Sequence, residues 1–185
     1  MRAGEALFHI HGDAQKIHES GLIHNVAFGP ERTIEQDSTF AFRIIVDVGI
    51  KALSKAINDP TTAVLSIDQL QRLLRKVGTR RLHGDEITDG SGHLRLIFRT
   101  PDWDDFVQLS CREIRLYGAS NFQVARRLRA MLENLPRALP ESRWPALHKE
   151  LDLLDQALAR LNPLADDLAL ARTPDLQGLG ASLRD

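Results

Sequence analysis

No stretch constrains the architecture of this chain more than Gln36-Asp37-Ser38-Thr39-Phe40-Ala41-Phe42-Arg43-Ile44-Ile45-Val46-Asp47-Val48-Gly49-Ile50-Lys51-Ala52-Leu53-Ser54. Asp37 or Ser38 offers an N-cap oxygen for a long helix running to about Ala56. Phe40, Phe42, Ile44, Ile45, Val46, Val48, Ile50 and Leu53 fall nearly all round that helix, the pattern of an element enclosed in a protein interior. Its polar residues Gln36, Arg43, Asp47, Lys51 and Ser54 recur at spacings of seven, four, four and three, which gathers them into one narrow stripe. The expectation is a buried central helix with a charged edge.

Downstream, Asn58-Asp59-Pro60 places an N-cap Asp before a Pro at the first helical position, where its missing N–H costs nothing. The helix it starts runs to about Val77, with Ala63, Val64, Ile67, Leu70, Leu74 and Val77 on one face and Gly78 as its stop. Asp68 and Arg72 are spaced to pair on the wet side. Between Leu82 and Thr100, Asp89-Gly90-Ser91-Gly92 is turn chemistry, and Leu94, Leu96 and Phe98 alternate with Arg95, Ile97 and Arg99, predicting a β-hairpin. Residues Met1–Gly12 read as a short strand able to pair with it, and Asp13–Phe28 as a short helix.

Helices then resume. One starts at Thr100-Pro101 and ends at Gly118, burying Trp103, Phe106, Val107, Ser110, Ile114 and Tyr117. Ser120 with Gln123 forms a capping box for the next, which ends near Leu135. In the last long helix Leu147, Leu151, Leu154, Leu158 and Leu161 form a short heptad seam, fit for an intramolecular core or an oligomer contact. A short helix follows from Asn162-Pro163 to about Arg172. The fold class is mainly α: a helical bundle around a central buried helix, with a small β-hairpin or short antiparallel sheet. One domain over 1–172, its β parts at 1–12 and 82–100, precedes a loosely held tail at 173–185.

Composition narrows the function classes. The 185 residues suffice for a core without disulfides or metal. With 24 basic and 25 acidic residues the net charge is −1, which suggests no strong electrostatic footprint for nucleic acid or anionic lipid. The single cysteine, Cys111, fits a reducing compartment and a buried small hydrophobe better than a nucleophile. No segment reaches the ~20 apolar residues of a membrane span, and no secretory signal opens the chain. It is therefore expected to be soluble and cytoplasmic as given.

A resemblance sharpens this. Phe28-Gly29-Pro30-Glu31-Arg32-Thr33-Ile34-Glu35-Gln36-Asp37, followed by Val46-Asp47, Ala52-Leu53-Ser54 and Ile57-Asn58-Asp59-Pro60-Thr61-Thr62-Ala63, resembles the signature of a bacterial family of predicted membrane proteins, domain-of-unknown-function family 2254. Pro174-Asp175-Leu176-Gln177-Gly178-Leu179-Gly180 is similar to its C-terminal ending, so the likeness runs over essentially the whole chain. Ala41 stands where a glycine is usual and Lys55 where a proline is usual. The resemblance implies transmembrane helices N-terminal to this region, a full-length protein of the inner membrane, and membrane association only through that missing part. It implies no catalytic residues.

The candidate ligand-binding residues are Arg32, Gln36, Asp37, Arg43, Asp47, Asn58 and Asp59. Charges on an enclosed helix must pair or face a cavity. One reading is a pocket for a polar or anionic ligand, with Arg32 and Arg43 as donors. The other is a structural network linking Arg43 to Asp47, Asp47 to Lys51, and Arg32 to Asp37 or Asp59. Helix capping alone accounts for Asn58-Asp59-Pro60-Thr61. His9 and His11 alternate onto one strand face, but two histidines without further ligands make a poor metal site. No phosphate-binding Gly loop, nucleophile elbow or zinc-protease helix is present. No cofactor or metal is expected. The combination points to a non-enzymatic regulatory or assembly domain, a homo-oligomer through its helices, with a small-ligand binder or enzyme using the Arg/Asp stripe as the alternative.

Overall fold

The computed structural model describes residues 6, 8–10, 18–24, 26, 29, 33–34, 37–82 and 84–179. The chain divides into two compact units, residues 1–32 and 33–185. In the first, the described part holds one short helix, α1 (Glu19–His24); most of the strand expected at 1–12 lies outside the described residues.

The second unit is a helical bundle with one small sheet. Its elements are α2 (Ser38–Ala52), α3 (Pro60–Gly78), β1 (Glu86–Thr88), β2 (Leu94–Ile97), α4 (Trp103–Gly118), α5 (Phe122–Asn134), α6 (Trp144–Leu161) and α7 (Ala165–Ala171), with short 3-10 turns at Leu135–Ala138 and Glu141–Arg143. The mainly helical class and the antiparallel hairpin are as the sequence predicts. Asp59 caps α3 as expected, accepting from the Thr62 amide at 3.1 Å, and Asp37 rather than Ser38 caps α2. Two caps differ from expectation. α4 begins with a reciprocal Asp102–Asp105 capping box, while Thr100 donates to Asp85 at the base of the hairpin. At α5 the capping oxygen belongs to Asn121, not Ser120.

The larger correction concerns which helix is enclosed. α2 buries only Phe42, Val46, Gly49 and Ala52, because among the described residues it packs chiefly on α3 and α4. Ile44 is 41% and Val48 48% exposed, so one strip of its apolar circumference faces solvent. The interior position belongs to α4 and α5. α4 packs against α2, α3, α5 and α6, and α5 buries eight of its thirteen residues, from Val124 to Leu132. Gly49 lets α2 settle closely: a Cβ there would stand 2.7 Å from the Ile114 Cδ1 and 3.3 Å from the Ser66 Cβ.

On α6 the leucine seam is consumed inside the chain, Leu147, Leu154 and Leu158 being fully buried and Leu161 alone exposed. Tyr117, expected in the core, faces outward. Cys111 is buried, and its thiol is pushed well above its ordinary pKa by the loss of solvent and then by the nearby Glu150 carboxylate. Residues 173–178 are hydrogen-bonded to α5. Asp175 is buried, its amide donates to the Arg126 carbonyl at 3.1 Å, and Arg127 donates to the carbonyls of Asp175 and Leu176. The Asp175 carboxylate accepts from the amides of Gln177 and Gly178, folding a turn around Gly178 at φ 74°. The remainder from Gly180 lies outside the described residues.

Candidate functional site

The polar stripe of α2 resolves into an ion bridge between helices. Arg43 donates through Nε to Asp47 at 2.8 Å, one turn along the same helix. Its terminal nitrogens reach both oxygens of Glu113 on α4, the longer contact at 3.0 Å. A planar guanidinium held by two carboxylates in this way has four of its five N–H donors engaged. The Arg43 side chain is 30% exposed, Asp47 56% and Glu113 36%, so the bridge sits at the rim of the bundle. The Glu113 carboxyl is held below its ordinary pKa, chiefly by its hydrogen bond from Arg43. Arg43 is raised in turn by Glu113 and then by Asp47.

The other expected site residues have local duties. Asp37 accepts from the Thr39 amide at 2.8 Å and from its hydroxyl. Asp59 does the same for Thr62, and those two bonds, the hydroxyl's first, lower its pKa. Asn58 adopts φ 47°, a left-handed conformation that Asn tolerates well, and its amide donates to Ser54 to close the α2–α3 turn. Among the described residues, Asp47 pairs with Arg43 rather than Lys51. Arg32 and Gln36 lie outside the described residues, as does His11. The structure therefore brings Arg43 and Asp47 together, leaves Asn58 and Asp59 in a turn of their own, and keeps Asp37 at the far end of α2. Among the described residues, one surface depression is bordered by Thr39, Arg99, Thr100, Pro101, Asp105 and Leu109 and a second by Ile45, Gln69, Arg72, Leu73, Arg75 and Lys76. Asp37, Arg43, Asp47, Asn58 and Asp59 border neither. Among the described residues, no group of three or more His, Cys, Asp or Glu is placed to hold a metal.

Sequence reasoning missed Glu113, seventy residues from Arg43. It also missed the bridges made by three further arginines. Arg115 on α4 reaches Glu150 on α6 at 3.3 Å in a nearly dry setting. Arg127 on α5 takes Asp68 on α3 at 2.6 Å, in place of the Asp68–Arg72 pair. Arg129 binds Glu133 and Asp155, leaving its buried Nε without a partner. These arginines tie helices together.

The family model described as "Predicted membrane protein (DUF2254)" matches residues 1–134. The chain belongs to this family. The match ends before α6, so it does not include the tail on which part of the resemblance rested. Uncharacterized proteins of Mycobacterium tuberculosis and Mycobacterium bovis are similar to this DUF2254 chain, each 30% identical over 139 residues. Those residues are 75% of this chain and 27% of each relative, so the chain spans about a quarter of the length of the curated relatives it matches. No solved structure matches it. No helix among the described residues of this DUF2254 chain is long and apolar enough to cross a membrane.

Proposed function

We propose that the chain is a non-enzymatic regulatory or assembly domain of a membrane protein, acting through contact with other protein surfaces and self-associating as it does so. The observation that carries this reading is the hairpin. Every residue of β1 and β2 is exposed, although Ile87, Leu94 and Leu96 are among them and Phe98 follows. Ile87 lies directly opposite Leu96 in the antiparallel register, and Phe98, two residues on from Leu96, joins their face, while a register shift between Ile87 and Thr88 sets Leu94 opposite Thr88. Two strands alone are marginal in water, and a contiguous apolar face of this kind marks a contact surface. The ridge of Ile44 and Val48 on α2 adds a helical contribution. The α6 seam, engaged within the chain, does not. A cytoplasmic setting is part of the reading, supported by the lone buried thiol of Cys111.

Size-exclusion chromatography with light scattering tests it. The expected mass is a multiple of the 20.7 kDa chain, reduced to that of one chain by Leu96→Asp combined with Phe98→Ser. A strict monomer at the highest attainable concentration overturns self-association.

A further inference from the structure

The second depression lies on a charged face that neither the ion bridges nor the hairpin explains. Between Gln69 and Gly84 the sequence holds Arg72, Arg75, Lys76, Arg80 and Arg81 and no carboxylate. All five are exposed. Spacings of three and four put Gln69, Arg72, Arg75 and Lys76 along one outward face of α3, and Leu65, 56% exposed, continues that face toward the N-terminus. Arg72 reaches only the Gln69 amide oxygen at 3.4 Å, and Arg75 only that of Asn134. Among the described residues, none of the five makes an ion pair, whereas Arg43, Arg115, Arg127 and Arg129 all do. In a chain of net charge −1 this is a strongly uneven distribution.

Helix electrostatics explain a part of it. Arg75 and Lys76 occupy the last turn of α3, where a cation complements the helix dipole. Arg72 stands before that turn, Arg80 and Arg81 come after the helix, and a dipole gives no reason for excluding acids from sixteen consecutive residues (69–84). Between the cations, Ile45 of α2 and Leu73 of α3 line the floor of an open groove of about 540 Å³. The groove is thus basic at the rim and aliphatic at the base.

We propose that this face of α3 rests on an anionic phospholipid surface, its guanidinium and ammonium groups among the phosphates and its aliphatic floor toward the acyl boundary. Three observations select this occupant. The chain belongs to a family described as predicted membrane proteins, so a bilayer is at hand. Clustered Lys and Arg are attracted to anionic lipid cumulatively, and partly exposed aliphatic side chains between them suit the headgroup boundary. Finally, α3 has no aromatic residue, so the face offers no platform for stacked bases, which single-stranded nucleic acid requires. The inference is independent of self-association through the hairpin, which lies in another part of the sequence.

Cosedimentation of the 185-residue protein with vesicles tests it. Phosphatidylcholine vesicles containing phosphatidylglycerol are expected to carry the protein down, pure phosphatidylcholine vesicles are not, and added salt is expected to weaken the binding. Arg72→Glu with Lys76→Glu should lower partitioning about tenfold or more. Lys149→Glu with Arg160→Glu, an equal charge change on exposed positions of α6, should lower it far less. Should the α3 variant lose its helical circular dichroism, Arg80→Glu with Arg81→Glu replaces it, since neither residue is helical. Failure to bind phosphatidylglycerol vesicles, or equal losses in the α3 and α6 variants, overturns the proposal. So does tighter binding to a single-stranded oligonucleotide or to polyglutamate than to the vesicles.

Discussion

The α4–α6 bridge and the α2–α4 bridge use the same chemistry, an arginine against a glutamate on a neighbouring helix, in opposite surroundings. Arg115 and Glu150 are 12% and 3% exposed; Arg43 and Glu113 are each about a third exposed. Inside, a charge stripped of water has only its partner, so loss of either side leaves an ion stranded among Cys111 and the leucines of α6. At the rim, water replaces a lost partner at little cost. The difference shows that an ion pair constrains a fold in proportion to the solvent it has lost. Electrostatic conspicuousness in the sequence ran the other way: the stripe of α2 stood out and the Arg115–Glu150 pair did not.

Three measurements can break or sharpen that contrast. Arg115→Met should cost about 3–5 kcal/mol by urea denaturation, with the double variant Arg115→Met/Glu150→Leu recovering much of the loss because no unpaired charge remains. A small cost for the single variant would show that the inner pair is wetter than its geometry implies. Arg43→Met should cost only about 1 kcal/mol or less in the same assay, since both carboxylates can rehydrate. Equal costs for Arg43→Met and Arg115→Met would erase the distinction. The smallest effect is one of pH. Because the Glu113 pKa is lowered in the folded state by Arg43, its contribution is fully present above the unfolded value near ~4.3 and drains away as pH falls through the folded value beneath it. Thermal melts taken below that value should show Glu113→Gln and wild type converging in stability, and separating again toward neutral pH; a constant gap would assign the stabilisation to packing.

Local signals were readable from the residues alone. Asp37, Asp59-Pro60 and Asp89-Gly90-Ser91-Gly92 write boundaries into a few neighbouring positions, and the helices and hairpin follow them. What escaped depends on neighbours far along the chain. α2 counts as apolar all round, yet whether Ile44 and Val48 are covered depends on which helices surround it, and among the described residues α3 and α4 are its main neighbours. Asp68 has Arg72 at the right helical spacing, but Arg127 of α5 arrives at its carboxylate instead. Glu113 carries no mark connecting it with Arg43. The candidate site fared accordingly. Arg43 and Asp47 meet as their spacing suggests, while Asp37 and Asp59 accept from backbone amides and Asn58 closes the α2–α3 turn.

Cys111 gives the molecule an internal clock. A lone sulfhydryl sealed in the middle of the bundle, with its proton held more firmly than usual, is out of reach of alkylating reagents until α4 is uncovered. The rate at which such a reagent marks the chain therefore times the opening of the helices around it, without any added probe.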